Sequence, residues 1–463
     1  MSGHDGVHEQ STAQTKESER LFSGEQLRRL ILPLMVEQLL AVAVGIADSI
    51  MVSAVSEEAM AAVSLVDNIN VLLIGLFSAL ATGGAVVAGQ YLGHKNREKA
   101  CEAGLQLLVF VTLIAAVVMG AIYVGRGWIL GTVFGKIQPD VYSYADRYLM
   151  VVMASIPFLA LYNCGAALFR VQGNSKVSMK TSLLMNGINV AGNALCVYGL
   201  HMSVEGVAIP TLVSRIVAAI VIVWLLTDQK LTVCVRKPVH YRYQGKMVSR
   251  ILQIGIPNGI ENSMFQLGKI VLLSLISTFG TTAIAANAAA NSLAAFEILP
   301  GQAIGLAMVT VVSQCVGAGD YEQVKYYTKK LMIYAIGSMI ILNALIMLGL
   351  PWIMQMYHLS SQTAVVARKI LILHGTCAMV IWPLSFTFPN ALRAANDARY
   401  TMTVSILSMW FCRIVLGVIM GKYLGMGVFG TWVAMIIDWV VRSIFFLLRF
   451  LRGKWMEQKS LTD

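Results

Sequence analysis

Seven side chains in this sequence are placed to do chemistry in an otherwise apolar chain: Glu37, Asp48, Asp67, Asn189, Asn193, Glu261 and Glu297. Each falls inside a run long and apolar enough to cross a bilayer. A carboxylate there costs several kcal/mol unless it is paired, protonated or wetted, so every one is a functional candidate by default. Asp48 and Asp67 lie about 8 and 10 residues on either side of a polar break near Ser56, which places them at similar depth in the outer half. Glu261 and Glu297 stand about 19 and 17 residues from the break at Gly280, near the bilayer middle at about 1.5 Å per residue. Glu37 and Asp48 are eleven residues apart and share one face of a helix, a face expected to look into a wet cavity.

The chemistry these groups offer is cation handling. Asp48 and Asp67 suit a coupling ion or proton, and Glu37, Glu261 and Glu297 suit a cationic substrate. Asn186, Asn189 and Asn193 put three amides on one helix face, able to ligate a cation without a carboxylate's charge cost or to serve as interhelical glue. Asp48, Asn189 and Asn193 together form the candidate metal-cation set. Competing structural readings stand beside these: Lys269 is near enough to neutralise Glu261, Glu297 precedes Pro300 and is able to bond backbone groups that the proline frees, and Asp438 with Arg442 at i, i+4 fits an ion pair. Gly83 and Gly84 read as close-packing positions. No GxSxG, HExxH, phosphate-cradling or dinucleotide-binding signature occurs, so neither an enzyme nor an ATP-driven pump is expected. No organic cofactor is implied.

The elements that must position these groups follow from composition. Of 463 residues 57% are hydrophobic and 13% charged, about half the charge of a soluble protein, so the chain is an all-α polytopic membrane protein. Twelve spans are predicted at about 29–54, 61–92, 101–125, 141–169, 178–199 and 205–227, then 249–278, 283–316, 327–350, 363–391, 401–421 and 428–450. The net charge of +11 would suit nucleic acid if it were clustered, but the cations lie in short loops between apolar runs. On one side of the predicted membrane fall 25 of the 35 Lys and Arg residues, Arg170 and Arg393 counted among them, which predicts both termini cytoplasmic. The seven cysteines stand singly, without metal-ligand spacing or a disulfide framework.

Slid against itself by 224 residues, the chain matches Pro33 with Pro257, Glu37 with Glu261, Gln90 with Gln314, Gly93 with Gly317 and Glu98 with Glu322. Two six-helix halves in the same orientation are therefore predicted, the parallel-repeat plan of some secondary transporters. The divisions expected are a polar tail at 1–27, lobes at 28–227 and 249–451, a basic linker at 228–248 and a tail at 452–463.

The run Ile46-Ala-Asp-Ser-Ile-Met-Val-Ser53, with Met60-Ala-Ala-Val-Ser-Leu65 and Gln90-Tyr-Leu-Gly93, resembles the multidrug and toxic compound extrusion (MATE) transporters. So do Ala285-Ala-Asn-Ala-Ala289, Gln314-Cys-Val-Gly317 and Leu392-Arg-Ala-Ala-Asn-Asp397 in the second half. The resemblance covers about residues 28–450. It implies two pseudo-symmetric six-helix bundles forming a V-shaped cleft in the inner or plasma membrane, and export of organic cations in exchange for Na+ or H+ by a monomer. Asp48 then corresponds to the family's helix 1 aspartate, a cation or proton site, and Asn189 and Asn193 to its helix 5 pair, which is Asn and Asp in several members. Many members carry a helix 7 Glu one turn after Glu261, where this chain has Phe265, and an acid in helix 10, where Pro383 to Pro389 has none. Glu261 is the candidate substitute. A lipid or glycolipid flippase of the same wider superfamily is the alternative, and would carry a more cationic cavity for phosphate.

Overall fold

A computed structural model describes residues 20–133, 138–236, 238, 241–357 and 359–458. Most of the polar tail, with Lys16, lies outside these residues, as do Lys136, Lys237 and Lys459. The described residues form twelve rods of helix. In the first half these are α1 (Gly24–Ser53), α2 (Glu57–Gly93), α3 (Arg97–Trp128), α4 (Pro139–Ala154 and Ile156–Val171), α5 (Ser175–Ala194) and α6 (Glu205–Leu226). The second half holds α7 (Gly245–Ser277), α8 (Thr281–Glu297 and Leu299–Gly317), α9 (Tyr321–Met356), α10 (Ser361–Ala378 and Pro389–Ala394), α11 (Ala398–Ser408, continued in wide turns to Tyr423) and α12 (Gly427–Leu451). Even-numbered and odd-numbered rods run in opposite directions, so the first and last described residues lie on the same side.

Ten of the rods are long and apolar enough to cross a membrane when the two bent ones, α4 and α10, are each taken as one span. The remaining two are α5 and α7. They fall short because they carry the polar groups of interest, three asparagines in α5 and Glu261 with Lys269 in α7. A polar interior face lowers mean hydropathy without changing which way the rod runs. The lipid-facing side is apolar and repeats with the same 224-residue offset. Trp128 and Trp352, 66% and 68% exposed, occupy equivalent positions at the ends of α3 and α9, where the membrane interface favours tryptophan.

The bends repeat as well. α4 breaks at Ser155 with a bend of 40°, and α10 breaks after Ala378, one residue before the position equivalent to Ser155, with a bend of 59°. Pro157 and Pro383 supply the cause, since proline lacks the N–H that would continue the ladder and its ring crowds the carbonyl one turn back. In α1, Pro33 likewise leaves the Arg29 carbonyl without its helical donor, and the Ser175 hydroxyl lies within bonding distance of it and of the neighbouring Leu30 carbonyl, at 3.2 and 2.7 Å.

The halves meet through α1 and α2 of the first and α7 and α8 of the second, with small residues at the contact. Gly83 packs against α7 so closely that a Cβ on it would stand 2.6 Å from the Ile251 carbonyl oxygen, the close-packing role expected of it. On the side of the chain ends, Gly93 and Gly317 each lie against the other half's glutamine backbone, where an added Cβ would come within 1.9 Å of the Gln314 or Gln90 carbonyl oxygen. That side is shut. Residues 229–234 pack on the start of α3, where Arg97 donates to the Leu231 carbonyl at 2.7 Å and the Cys101 and Cys234 sulfurs lie 3.6 Å apart.

Candidate functional site

Between the halves lies a cavity of about 890 Å³. It reaches from Glu37 and Glu261, midway along their helices, to Val52 and Met60 at the far end from the termini. Four carboxylates line it (Glu37, Asp48, Asp67 and Glu261), and so do four arginines, Arg170, Arg215, Arg393 and Arg442. Equal numbers conceal an unequal arrangement.

Asp48 of α1 accepts a hydrogen bond from Asn193 Nδ2 of α5 at 2.8 Å. The same amide lies 3.4 Å from Asn189 Oδ1, and Asn189 Nδ2 donates to Thr211 Oγ1 of α6 at 2.9 Å. Among the described residues Asn193 Oδ1 has no partner and Asp48 has no cationic one. Two acceptor oxygens, of Asp48 and Asn189, thus converge on the Asn193 amide nitrogen; carboxylate and amide oxygens are of the hard kind that suits an alkali cation, while a lone carboxylate suits a proton. Asp67 of α2 shares the cavity and accepts from the Tyr148 hydroxyl at 3.5 Å. Arg215 of α6 spends its donors on Ser155 Oγ, at the bend of α4, and on Asn70, at 2.7 and 3.4 Å. Asn189 and Asn186 line the cavity, and Asn193 stands one layer behind, fully buried.

Glu37 is paired. Arg170 Nη1 donates to its Oε1 at 3.1 Å and Ser178 Oγ to its Oε2 at 2.6 Å. Glu261 occupies the equivalent place in α7 and is held by Arg393 at 2.8 Å and Arg442 at 3.2 Å. Three sequence expectations are corrected here. Arg170 and Arg393, counted among loop cations, turn inward because the second segments of α4 and α10 lean into the molecule after their bends. Lys269 does not neutralise Glu261; its ammonium sits over the Phe265 ring at 5.1 Å, with the Arg413 guanidinium 4.9 Å from the same ring. The expected Asp438–Arg442 pair is not formed either. Arg442 reaches Glu261 and Ser405, while Asp438 accepts from Ser408 at 2.6 Å and lies 4.0 Å from Arg413. An i, i+4 pair wins on an exposed helix, but here a buried carboxylate on a neighbouring helix competes for the arginine.

Glu297 is not brought into the cavity. It is 1% exposed, packed between α8 and α10, with its carboxylate hydrogen-bonded to His374 Nδ1. The His374 ring meets Trp432 and Trp439 edge-on, and Asn343 donates to the Glu297 carbonyl at 3.1 Å. His374 gave no sequence signal, being a lone histidine 77 residues from its partner. Arg170 and Arg393 did give one: with the 224-residue offset that pairs Glu37 with Glu261, the two arginines fall within one residue of equivalence.

A family model described as MatE matches residues 33–195 and again 257–419, two segments whose starts are separated by the same 224 residues as the internal repeat. An uncharacterised transporter, YisQ, of Bacillus subtilis (strain 168) is 26% identical over 97% of this chain and 98% of its own length. A probable multidrug resistance protein, NorM, of Thermotoga maritima is 24% identical over 95% of this chain and 94% of its length. Among solved structures, the outward-facing conformation of a multidrug resistance MATE family transporter of the MOP superfamily superposes with a TM-score of 0.86 at 19% identity. That likeness covers 94% of this chain and 96% of the other.

Proposed function

This chain belongs to the MatE family, and from that premise we propose that it is a secondary antiporter exporting amphipathic organic cations in exchange for Na+ or H+ by alternating access. The lobes that rock are residues 28–227 and 249–451, joined by the linker at 228–248. The protein would act as a monomer in the inner or plasma membrane with both termini cytoplasmic, as the excess of Lys and Arg on the terminal side favours.

The observation that carries the reading is Asp48. It is a carboxylate on the cavity wall, held by the Asn193 amide and not by an arginine. A buried carboxylate with a permanent cationic partner is already neutralised, whereas one held by an amide remains available to a proton or Na+. Asp67, Asn189 and Asn193 are the proposed companions at this ion site. Inward ion movement drives export only if ion and substrate favour opposite conformations or exclude each other, because a ligand shifts an equilibrium only by its differential affinity. Reconstitution into vesicles, with dye efflux driven separately by a Na+ gradient and a pH gradient, tests the reading and identifies the ion. No efflux under either gradient would defeat it.

A lipid flippase is the second reading, and one observation favours it: the two arginines on Glu261 make that wall of the cavity cationic. Headgroup translocation without any imposed ion gradient would support it over antiport.

A further inference from the structure

The internal repeat makes the cavity's charge distribution readable by comparison of its own halves. In the first half Glu37 meets one arginine, Arg170, and a serine hydroxyl. In the second half Glu261 meets Arg393 at the near-equivalent place and, in addition, Arg442. The position equivalent to Arg442 is Ala218, so the extra arginine is a departure from the repeat. Acids depart in the opposite sense. Asp48 and Asp67 correspond to Leu272 and Asn291. The cavity is nevertheless polarised: with Arg215, whose equivalent is Trp439, counted, three carboxylates stand with two arginines on the first half's wall, and one carboxylate stands with two arginines on the second's.

The surplus on the second wall is also unsatisfied. Arg442 is 2% exposed and Arg393 8%. Arg393 Nη1 donates to Asn390 and Arg442 Nη2 to Ser405, yet among the described residues Arg393 Nε, Arg442 Nε and Arg442 Nη1 have no hydrogen-bond partner, against a single unpartnered oxygen on Glu261. The Phe386 ring lies 4.6 Å from the Arg442 guanidinium and attracts its charge. Buried donors are ordinarily paired, and a buried cation without a matching anion is costly. Removing that cost is what an anionic ligand group would do, and the guanidinium fork suits carboxylate, sulfonate or phosphate equally.

We propose that Arg393 and Arg442 form a subsite for an anionic group of the transported compound, so that the preferred cargo is an amphipath bearing a negative charge toward the second half and a positive charge toward Asp48 and Asp67. The inference rests on the reading of this cavity as a transport site and names the class of substrate it takes. The positive end competes with the coupling ion at Asp48, while the negative end supplies affinity that the ion does not oppose.

Two dyes with one skeleton separate the charges: rhodamine B, with a free carboxylate, and its ethyl ester, which carries only the positive charge. Binding to the full-length protein in neutral phosphatidylcholine nanodiscs is expected to favour rhodamine B by about tenfold, the contribution of one charge-assisted contact. Arg442→Ala, which restores the first half's arrangement and so is expected to fold, should erase that ratio. Glu261→Gln should widen it by leaving both guanidinium groups without their carboxylate, and it decides the matter if Arg442→Ala does not fold. Repeating the measurement with phosphatidylglycerol in the disc distinguishes the sources of the anion. An undiminished ratio assigns the subsite to the dye-like cargo, and a ratio lost only there assigns it to an anionic lipid headgroup. Equal affinities in both lipids, a ratio that survives Arg442→Ala, or a ratio that Glu261→Gln leaves unchanged or narrows would overturn the proposal. If the ester alone is bound and exported, antiport stands and the anion subsite falls. If neither dye is bound or moved under any gradient, the transport reading itself fails and this inference with it.

Discussion

Gln90 and Gln314, equivalent residues of α2 and α8, each reach across to the other half: Gln90 Nε2 donates to the Ala394 carbonyl at 2.9 Å and Gln314 Nε2 to the Val171 carbonyl at 2.6 Å. These two carbonyls end α10 and α4, where a helix leaves its last acceptors unpaired. The amides thereby tie each bent helix to the opposite lobe, one turn from the glycines that let the backbones touch. Any conformation open on this side must break both bonds together, which makes the contact a two-state latch.

Gly93→Leu is expected to hold that latch open. A Cβ would stand 1.9 Å from the Gln314 carbonyl oxygen, and backbone cannot yield as a flexible side chain does. Spin labels at Lys99→Cys and Glu322→Cys, in a background without the native cysteines, should report a longer distance than in the parent. An unchanged distance in a folded variant would show that the latch does not set the conformation.

Asp48→Asn should lower gradient-driven efflux by about tenfold or more while the protein remains folded, since the change keeps the volume and removes the charge. Asn193→Ala is expected to act in the same direction but less strongly, because it strips one hydrogen bond worth about 1–2 kcal/mol from a carboxylate that keeps its charge. Undiminished efflux in a correctly inserted Asp48→Asn protein would remove Asp48 from the mechanism.

The coupling ion is expected to weaken substrate binding. Calorimetric titration of the rhodamine ethyl ester across a Na+ series and a pH series should give an affinity that falls as the effective ion rises, and Asp48→Asn should flatten that dependence. Affinity independent of both ions would defeat antiport and strengthen the flippase reading.

The Glu297–His374 pair lies outside the cavity, so its loss should first affect stability. His374→Ala leaves a carboxylate 1% exposed without its partner, at a cost of about 3 kcal/mol. Its melting temperature in detergent should drop by several degrees. The double change Glu297→Gln with His374→Gln should cost less than the two single changes added, as expected for one coupled contact. Strict additivity would show that the two side chains do not depend on each other.

What the sequence determined by itself was whatever depends on order along the chain. Hydropathy and length gave the rods, α5 and α7 among them although their polar buried faces leave them less apolar than the rest. The 224-residue offset exposed the repeat, and helical periodicity put Glu37 and Asp48 on one face, both of which line the cavity. Tertiary structure alone decided partners. Glu261 had a lysine eight residues away on its own helix and took arginines 132 and 181 residues distant instead. Arg393 read as a loop cation because its helix ends there, and only the bend of α10 carries it inward. His374 and Glu297 come from helices whose adjacency no spacing encodes. The physical reason is common to all three cases: periodicity fixes the direction in which a side chain leaves its own helix, while the charge it meets depends on which other helix packs against that face and how far a proline has bent it.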